Sequence, residues 1–166
     1  DEFETAPGVF QPTTNWLEIA NLFYSNADLP ISLTISVLDT TTRRLPLDLM
    51  GRAFDDPELI TRFKNFLDYV FTQIPDLRLS YFAIGNEVDG VLGVDTALWG
   101  EYETFFTAAA DHTRTLRIGT RVGVKIMLGG LTGSARELSQ SINTHSDIIL
   151  ATYYPIDGAF QVLDPV

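Results

Sequence analysis

The sequence has no cysteine. Disulfides and thiolate metal sites are excluded, and cysteine usage leaves the redox compartment open. No stretch approaches the roughly 20 apolar residues of a membrane span. Basic residues are scarce: 11 Lys and Arg stand against 22 Asp and Glu, for a net charge of −11. Such a surface repels a polyphosphate, which argues against a nucleic-acid partner. Histidine is rarer still. Neither His112 nor His145 has metal-ligand spacing with another His. No metal and no cofactor is expected. Walker A, Gly-x-Gly-x-x-Gly and a Ser-centred nucleophile elbow are all missing. So are low-complexity tracts and obvious repeats.

What is present is enough for one compact domain over residues 1–166. Of the 166 residues, 45% are apolar, so a real core can form. The length is well short of the roughly 250 residues of a complete eight-stranded α/β barrel. The chain begins Asp1-Glu2-Phe3, without an initiator Met or a signal peptide, and is expected to be a processed or excised piece.

Helical and strand patterns alternate. Thr14 to Asn26 reads as a helix, with Thr13 or Thr14 as cap and Trp16, Ala20 and Phe23 on one face. Ile31 to Leu38 alternates with period two, and its small Ser32/Thr34/Ser36 face is set to point into a barrel. After a loop from Asp39 to Phe54, Asp56-Pro57-Glu58 opens a long helix whose stripe is Leu59, Phe63, Phe66, Leu67, Val70 and Ile74. Leu79 to Glu87 reads as a second strand and Val88 to Val94 as a loop. Asp95 then caps a helix that buries Leu98, Tyr102, Phe105, Phe106 and Ala109. Arg121 to Leu128 reads as a third strand. Ser134-Ala135-Arg136-Glu137 reads as a capping box, and Asp147 to Tyr153 as a fourth strand. This order predicts an α/β fold of about four parallel strands with intervening helices, either an open doubly wound sheet or part of a barrel. Gly129 to Gly133 sits between strand and helix, as a flexible turn or, alternatively, an anion cradle.

The apolar strand ends abruptly in Gly85-Asn86-Glu87. A carboxylate at the C-terminal tip of a buried parallel strand is where an α/β barrel keeps its chemistry. Glycoside cleavage needs an acid to protonate the leaving oxygen and a second carboxylate across the sugar. Burial beside that second carboxylate raises the pKa of the acid. Asn86 is placed to hydrogen-bond a sugar 2-hydroxyl. Asp39 ends the first strand and Asp157 lies just past the fourth, so each is a candidate second carboxylate on the same rim. Asp89 reads as a loop cap or a solvated side chain. Tyr153 is favoured over Tyr154 to reach a carboxylate or substrate, because adjacent strand residues face opposite ways. Trp99, at helical spacing from Tyr102 and Phe106, reads as core rather than as a sugar platform. Arg43 and Arg44 border the rim, and Lys125 is unusual inside a strand: it points into the barrel or marks an edge.

Ile84-Gly85-Asn86-Glu87 resembles the fourth-strand motif of the clan of retaining glycoside hydrolases built on (β/α)8 barrels. Thr152-Tyr153-Tyr154-Pro155 is similar to strand six of that clan, most of all to the endo-β-1,4-galactanase-like families. The resemblance implies a partial TIM barrel, strands three to six. It implies Glu87 as general acid/base, Asn86 on the sugar 2-hydroxyl, and Tyr153, Asp39 and Asp157 near a β-linked polysaccharide or oligosaccharide. It also implies a secreted or periplasmic location. Strands one, two, seven and eight have no candidates, so the nucleophile of the clan has no counterpart here. The alternative is a non-catalytic half-barrel that binds sugar, forms a homodimer, or is completed by another chain.

Overall fold

A computed structural model describes residues 3–156 and 159–162. A small antiparallel hairpin comes first, β1 (Glu4–Ala6) with β2 (Val9–Phe10). Then follow α1 (Trp16–Asn26), β3 (Ile31–Asp39), β4 (Thr42–Arg43), a 3-10 turn at Leu47–Leu49 and α2 (Pro57–Gln73). The second half holds β5 (Leu79–Asn86), the one-turn α3 (Asp89–Leu92), α4 (Thr96–Leu116), β6 (Val122–Gly123), β7 (Lys125–Met127), α5 (Leu128–Thr132), α6 (Arg136–Asn143) and β8 (Leu150–Thr152).

The long helices begin where short acidic side chains can satisfy their first N–H groups. Asp56 accepts from the N–H of Glu58 and Leu59, and Asp95 from Ala97 and Leu98. Each helix then lays one apolar stripe on the sheet. Leu59, Phe63, Leu67 and Val70 of α2 meet Tyr102, Phe105 and Phe106 of α4, with the Phe63 and Phe105 rings 4.9 Å apart. Burying one such ring contributes about 1.5–3 kcal/mol relative to leaving it in water.

β3 and β5 pair in parallel from Ile31↔Leu79 to Asp39↔Asn86, and β5 pairs in parallel with β6. β7 pairs in parallel with β8, in register Lys125↔Leu150. The Val88 N–H donates to the Lys125 carbonyl (3.2 Å), which joins the tip of β5 to β7. The parallel strands therefore lie side by side in chain order. This is an α/β fold, as the alternation predicts. β4 is the exception: it folds back antiparallel on the end of β3, where a loop is expected from the sequence.

Helices cover one face of the sheet. Phe82, Ile84, Val122, Val124 and Ile126 point to them and are fully buried. Thr34, Ser36, Tyr81, Lys125 and Met127 alternate with these and are only half-buried. Lys125 therefore lies on the uncovered face.

Several expectations need correction. The third strand is interrupted at Val124, which divides it into β6 and β7. The fourth strand is shorter than predicted, because the Asp147 side chain is drawn to the Val122 N–H and to Arg114. Gly129 to Gly133 is neither an open turn nor an anion cradle: residues 128–132 are helical, and Gly130 packs against the Asp89 carboxylate. The capping box does not form. α6 starts at Arg136, and its cap position, Ala135, has no side-chain bond to offer. In α1 the cap is Asn15 rather than Thr13 or Thr14, with its amide also donating to Gln73 (2.7 Å).

Candidate functional site

The C-terminal tips of β3 and β5 lie side by side, and the segment after β8 reaches over them. Gly85 has φ +88°, and a Cβ there would overlap the Tyr102 hydroxyl and Val88, so only glycine fits. Glu87 follows at φ +50°, the left-handed region, and Thr40 on the neighbouring tip sits at φ +54°. For a residue with a Cβ, that conformation costs of order 1–3 kcal/mol and persists only where its surroundings hold it.

The holding groups are visible. The Thr40 N–H donates to the Asn86 carbonyl (2.8 Å), and the Thr40 hydroxyl donates to Glu87 Oε2 (2.8 Å). The Tyr154 hydroxyl donates to Glu87 Oε1 (2.5 Å). Asn86 Nδ2 donates to Asp39 Oδ1 (3.0 Å), and the other Asp39 oxygen meets Arg44 (3.4 Å). Glu87 itself is only 3% exposed.

These contacts decide the charge of Glu87. Its carboxyl is held below the usual range, chiefly by the Tyr154 hydroxyl, with burial opposing and Thr40 adding to the lowering. The Lys125 ammonium works in the same direction. Thr152 also favours the ionised form, although its buried hydroxyl lacks a partner at full hydrogen-bond geometry. The raised pKa expected of a general acid is therefore not what this arrangement produces. Hydroxyl donors and a nearby cation outweigh burial.

Asp89 shows the opposite behaviour. It is 9% exposed, so it is not the solvated side chain expected, and the backbone N–H that it takes lies at the end of β7 rather than in its own loop. Its Oδ1 accepts the Met127 N–H (2.9 Å), and burial pushes its carboxyl up, with the Glu87 charge adding to the rise.

Of the residues singled out in the sequence, the structure brings Asp39, Asn86 and Glu87 to one rim. Tyr153 is 45% exposed, and Tyr154 is the tyrosine that reaches Glu87, contrary to the preference from strand alternation. The strand ends at Thr152, so alternation no longer governs the pair. Asp157 lies outside the described residues. Trp99 is core, 2% exposed, with its indole N–H on the Gly93 carbonyl (3.1 Å). His112 and His145 pair with Asp68 and Glu103 on the helix side. Among the described residues, no group of three or more His, Asp or Glu is arranged to hold a metal ion. Sequence reasoning overlooked Thr40 and underrated Asp89 and Tyr154. Thr40 had a usable signal, being the residue just past a strand tip that already carries Asp39.

No protein-family model matches the chain, and no curated protein matches it.

Proposed function

We propose that this chain forms part of the wall of a (β/α)8 barrel, with Glu87 as the general acid/base of retaining hydrolysis of a β-linked polysaccharide or oligosaccharide. One observation carries this reading. A buried carboxylate stands in a strained turn at the C-terminal tip of a parallel strand, beside an asparagine, with an oriented hydroxyl on each oxygen. Parallel strands laid side by side in chain order are also what a barrel wall requires.

The chemistry follows from the charge. Retaining cleavage needs a proton on this group in the first step and an acceptor in the second, when water attacks the glycosyl intermediate. An ionised Glu87 suits the second step. To carry the proton in the first, it needs another negative charge close by, the role of the nucleophile across the sugar. Among the described residues both Glu87 oxygens are taken by hydroxyls, and no carboxylate shares a proton with it. On the described residues alone, the expectation is sugar binding through Asn86, Glu87 and Asp39 without sustained turnover. Secretion or a periplasmic location belongs to the same proposal.

The test is a panel of aryl β-glycosides and β-linked oligosaccharides, offered to the chain and to Glu87→Gln. Amide-resonance shifts at Asn86 and Tyr154 on adding one sugar class, without hydrolysis, are the expected result. Hydrolysis lost in Glu87→Gln would mean that Asp39, Asp157 or a second chain completes the carboxylate pair. Silence towards every sugar would overturn the reading.

A second reading is a non-catalytic half-barrel that associates with itself. The exposed apolar residues of α1 favour it: Trp16, Leu22 and Phe23 are 62%, 67% and 63% exposed. Sedimentation separates the two readings, since a monomer at high concentration removes the second.

A further inference from the structure

We propose that Asp89 is a positioning residue for Glu87, locking the strained turn after β5 against the end of β7 and against α5. The inference rests on Glu87 being the working carboxylate. The turn from Glu87 to Gly90 is pinned at consecutive points. The Val88 N–H donates to the Lys125 carbonyl (3.2 Å), and the Gly90 N–H returns to the Glu87 carbonyl (2.9 Å). The Asp89 side chain reaches across to the Met127 N–H (2.9 Å). Its other oxygen lies so close to Gly130 that a Cβ at 130 would overlap it. On the opposite side, a Cβ at Gly90 would overlap the Thr40 carbonyl, and Thr40 is the residue whose hydroxyl holds Glu87 Oε2.

Two glycines and one buried acid thus form a clamp around a backbone conformation that a glutamate would not adopt unaided. Met127 is the last residue of β7, and its register partner Thr152 ends β8, two residues before Tyr154. The Asp89 anchor therefore ties the Thr40 bank of the site to the strands that deliver the Tyr154 bank. Burying this carboxylate against one backbone N–H is unfavourable for its charge, as its raised carboxyl reflects. The contact itself needs only an acceptor oxygen, which an asparagine supplies equally.

The decisive comparison is between Asp89→Ala and Asp89→Asn, because both remove the charge and only the alanine removes the acceptor. The readout is the Glu87 carboxyl titration, followed by carbon NMR and assigned with Glu87→Gln. In Asp89→Asn the Glu87 carboxyl stays low. In Asp89→Ala it moves up towards the ordinary value, because the turn relaxes and the two hydroxyl contacts loosen. Gly130→Ala pushes the acid from the other side and shifts Glu87 the same way, which keeps the proposal testable if Asp89→Ala fails to fold. Identical Glu87 titrations in alanine and asparagine variants, with Gly130→Ala unchanged, would overturn it. No sugar is needed for this measurement, so it stands or falls separately from the sugar panel. Where a sugar does bind, Asp89→Ala weakens it about tenfold or more, and Asp89→Asn restores it.

Discussion

On the helix-covered face of the sheet Phe82, Ile84 and Ile126 are fully buried, while on the opposite face Thr34, Ser36, Tyr81 and Lys125 keep contact with water. The same strands supply both sets, residue by residue. The first face is aromatic and aliphatic and packs on α2 and α4, with Phe71 and Phe82 rings 5.4 Å apart. The second carries Thr34, Ser36, Tyr81, Lys125 and Met127, mostly hydroxylated or charged, and its cation acts on Glu87. Stability and chemistry are thus divided between two sides of one layer. They meet only at the strand tips, where Gly85 lets the backbone pass between them.

The largest expected effect comes from breaking the covered face. Phe82→Ala removes a fully buried ring and is expected to cost about 3–5 kcal/mol. Tyr81→Ala, one residue away on the uncovered face, is expected to cost under about 1 kcal/mol. Guanidinium unfolding of the two variants measures both. Equal losses would show that the uncovered face is packed as tightly as the other, and the division would fail.

Gly85→Ala tests the point where the faces meet. The added Cβ would overlap the Tyr102 hydroxyl and Val88, at a φ of +88°. The cost is expected at about 1–3 kcal/mol. It should come with loss of the Tyr154 contact, because Glu87 moves with the turn. A variant with wild-type stability and an unshifted Glu87 would mean that the tip is soft and the strain around it incidental.

Most of the layer was legible because it rests on local rules. Period-two alternation located β3, and the stripe from Leu59 to Val70 located α2. Asp56 and Asp95 announced their helices because a short carboxylate before a helix reaches the free N–H groups directly. The capping box at Ser134 does not form for a tertiary reason: the cap falls one residue later, at Ala135, which is buried in the core, and Gly133 is held to the Gly129 carbonyl (2.8 Å). At the site, Asn86 and Glu87 could be read from one strand end. Thr40 was marked only by its place just past the Asp39 strand tip, and the contacts of Thr40, Asp89 and Tyr154 span separations of 38 to 67 residues, which no local pattern reveals. The charge of Glu87 was misjudged for the same reason. Burial is foreseeable from a sequence, but the donors that reach a buried group are not.

The smallest and sharpest effect concerns two acids that are two residues apart and shifted in opposite directions. Glu87 is lowered from its ordinary value of 4.5, so its ionised form favours the fold. Its contribution is complete above that value and is lost as pH falls through the lowered one. Tyr154→Phe removes the main donor and should narrow the gap in stability between pH 7 and pH 3. Asp89 is raised from 3.8, so its protonated form favours the fold, and ionisation begins to oppose folding once pH climbs above that ordinary value. Asp89→Asn keeps an acceptor for the Met127 N–H and removes the charge. It should stabilise the protein at pH 7, with the gain fading as pH falls towards 3.8 and absent below that value. Unfolding curves for both variants at the two pH values read the signs directly. A destabilised Asp89→Asn at pH 7 would mean that the carboxylate charge itself holds the turn, and the clamp would then be electrostatic rather than a matter of one acceptor oxygen.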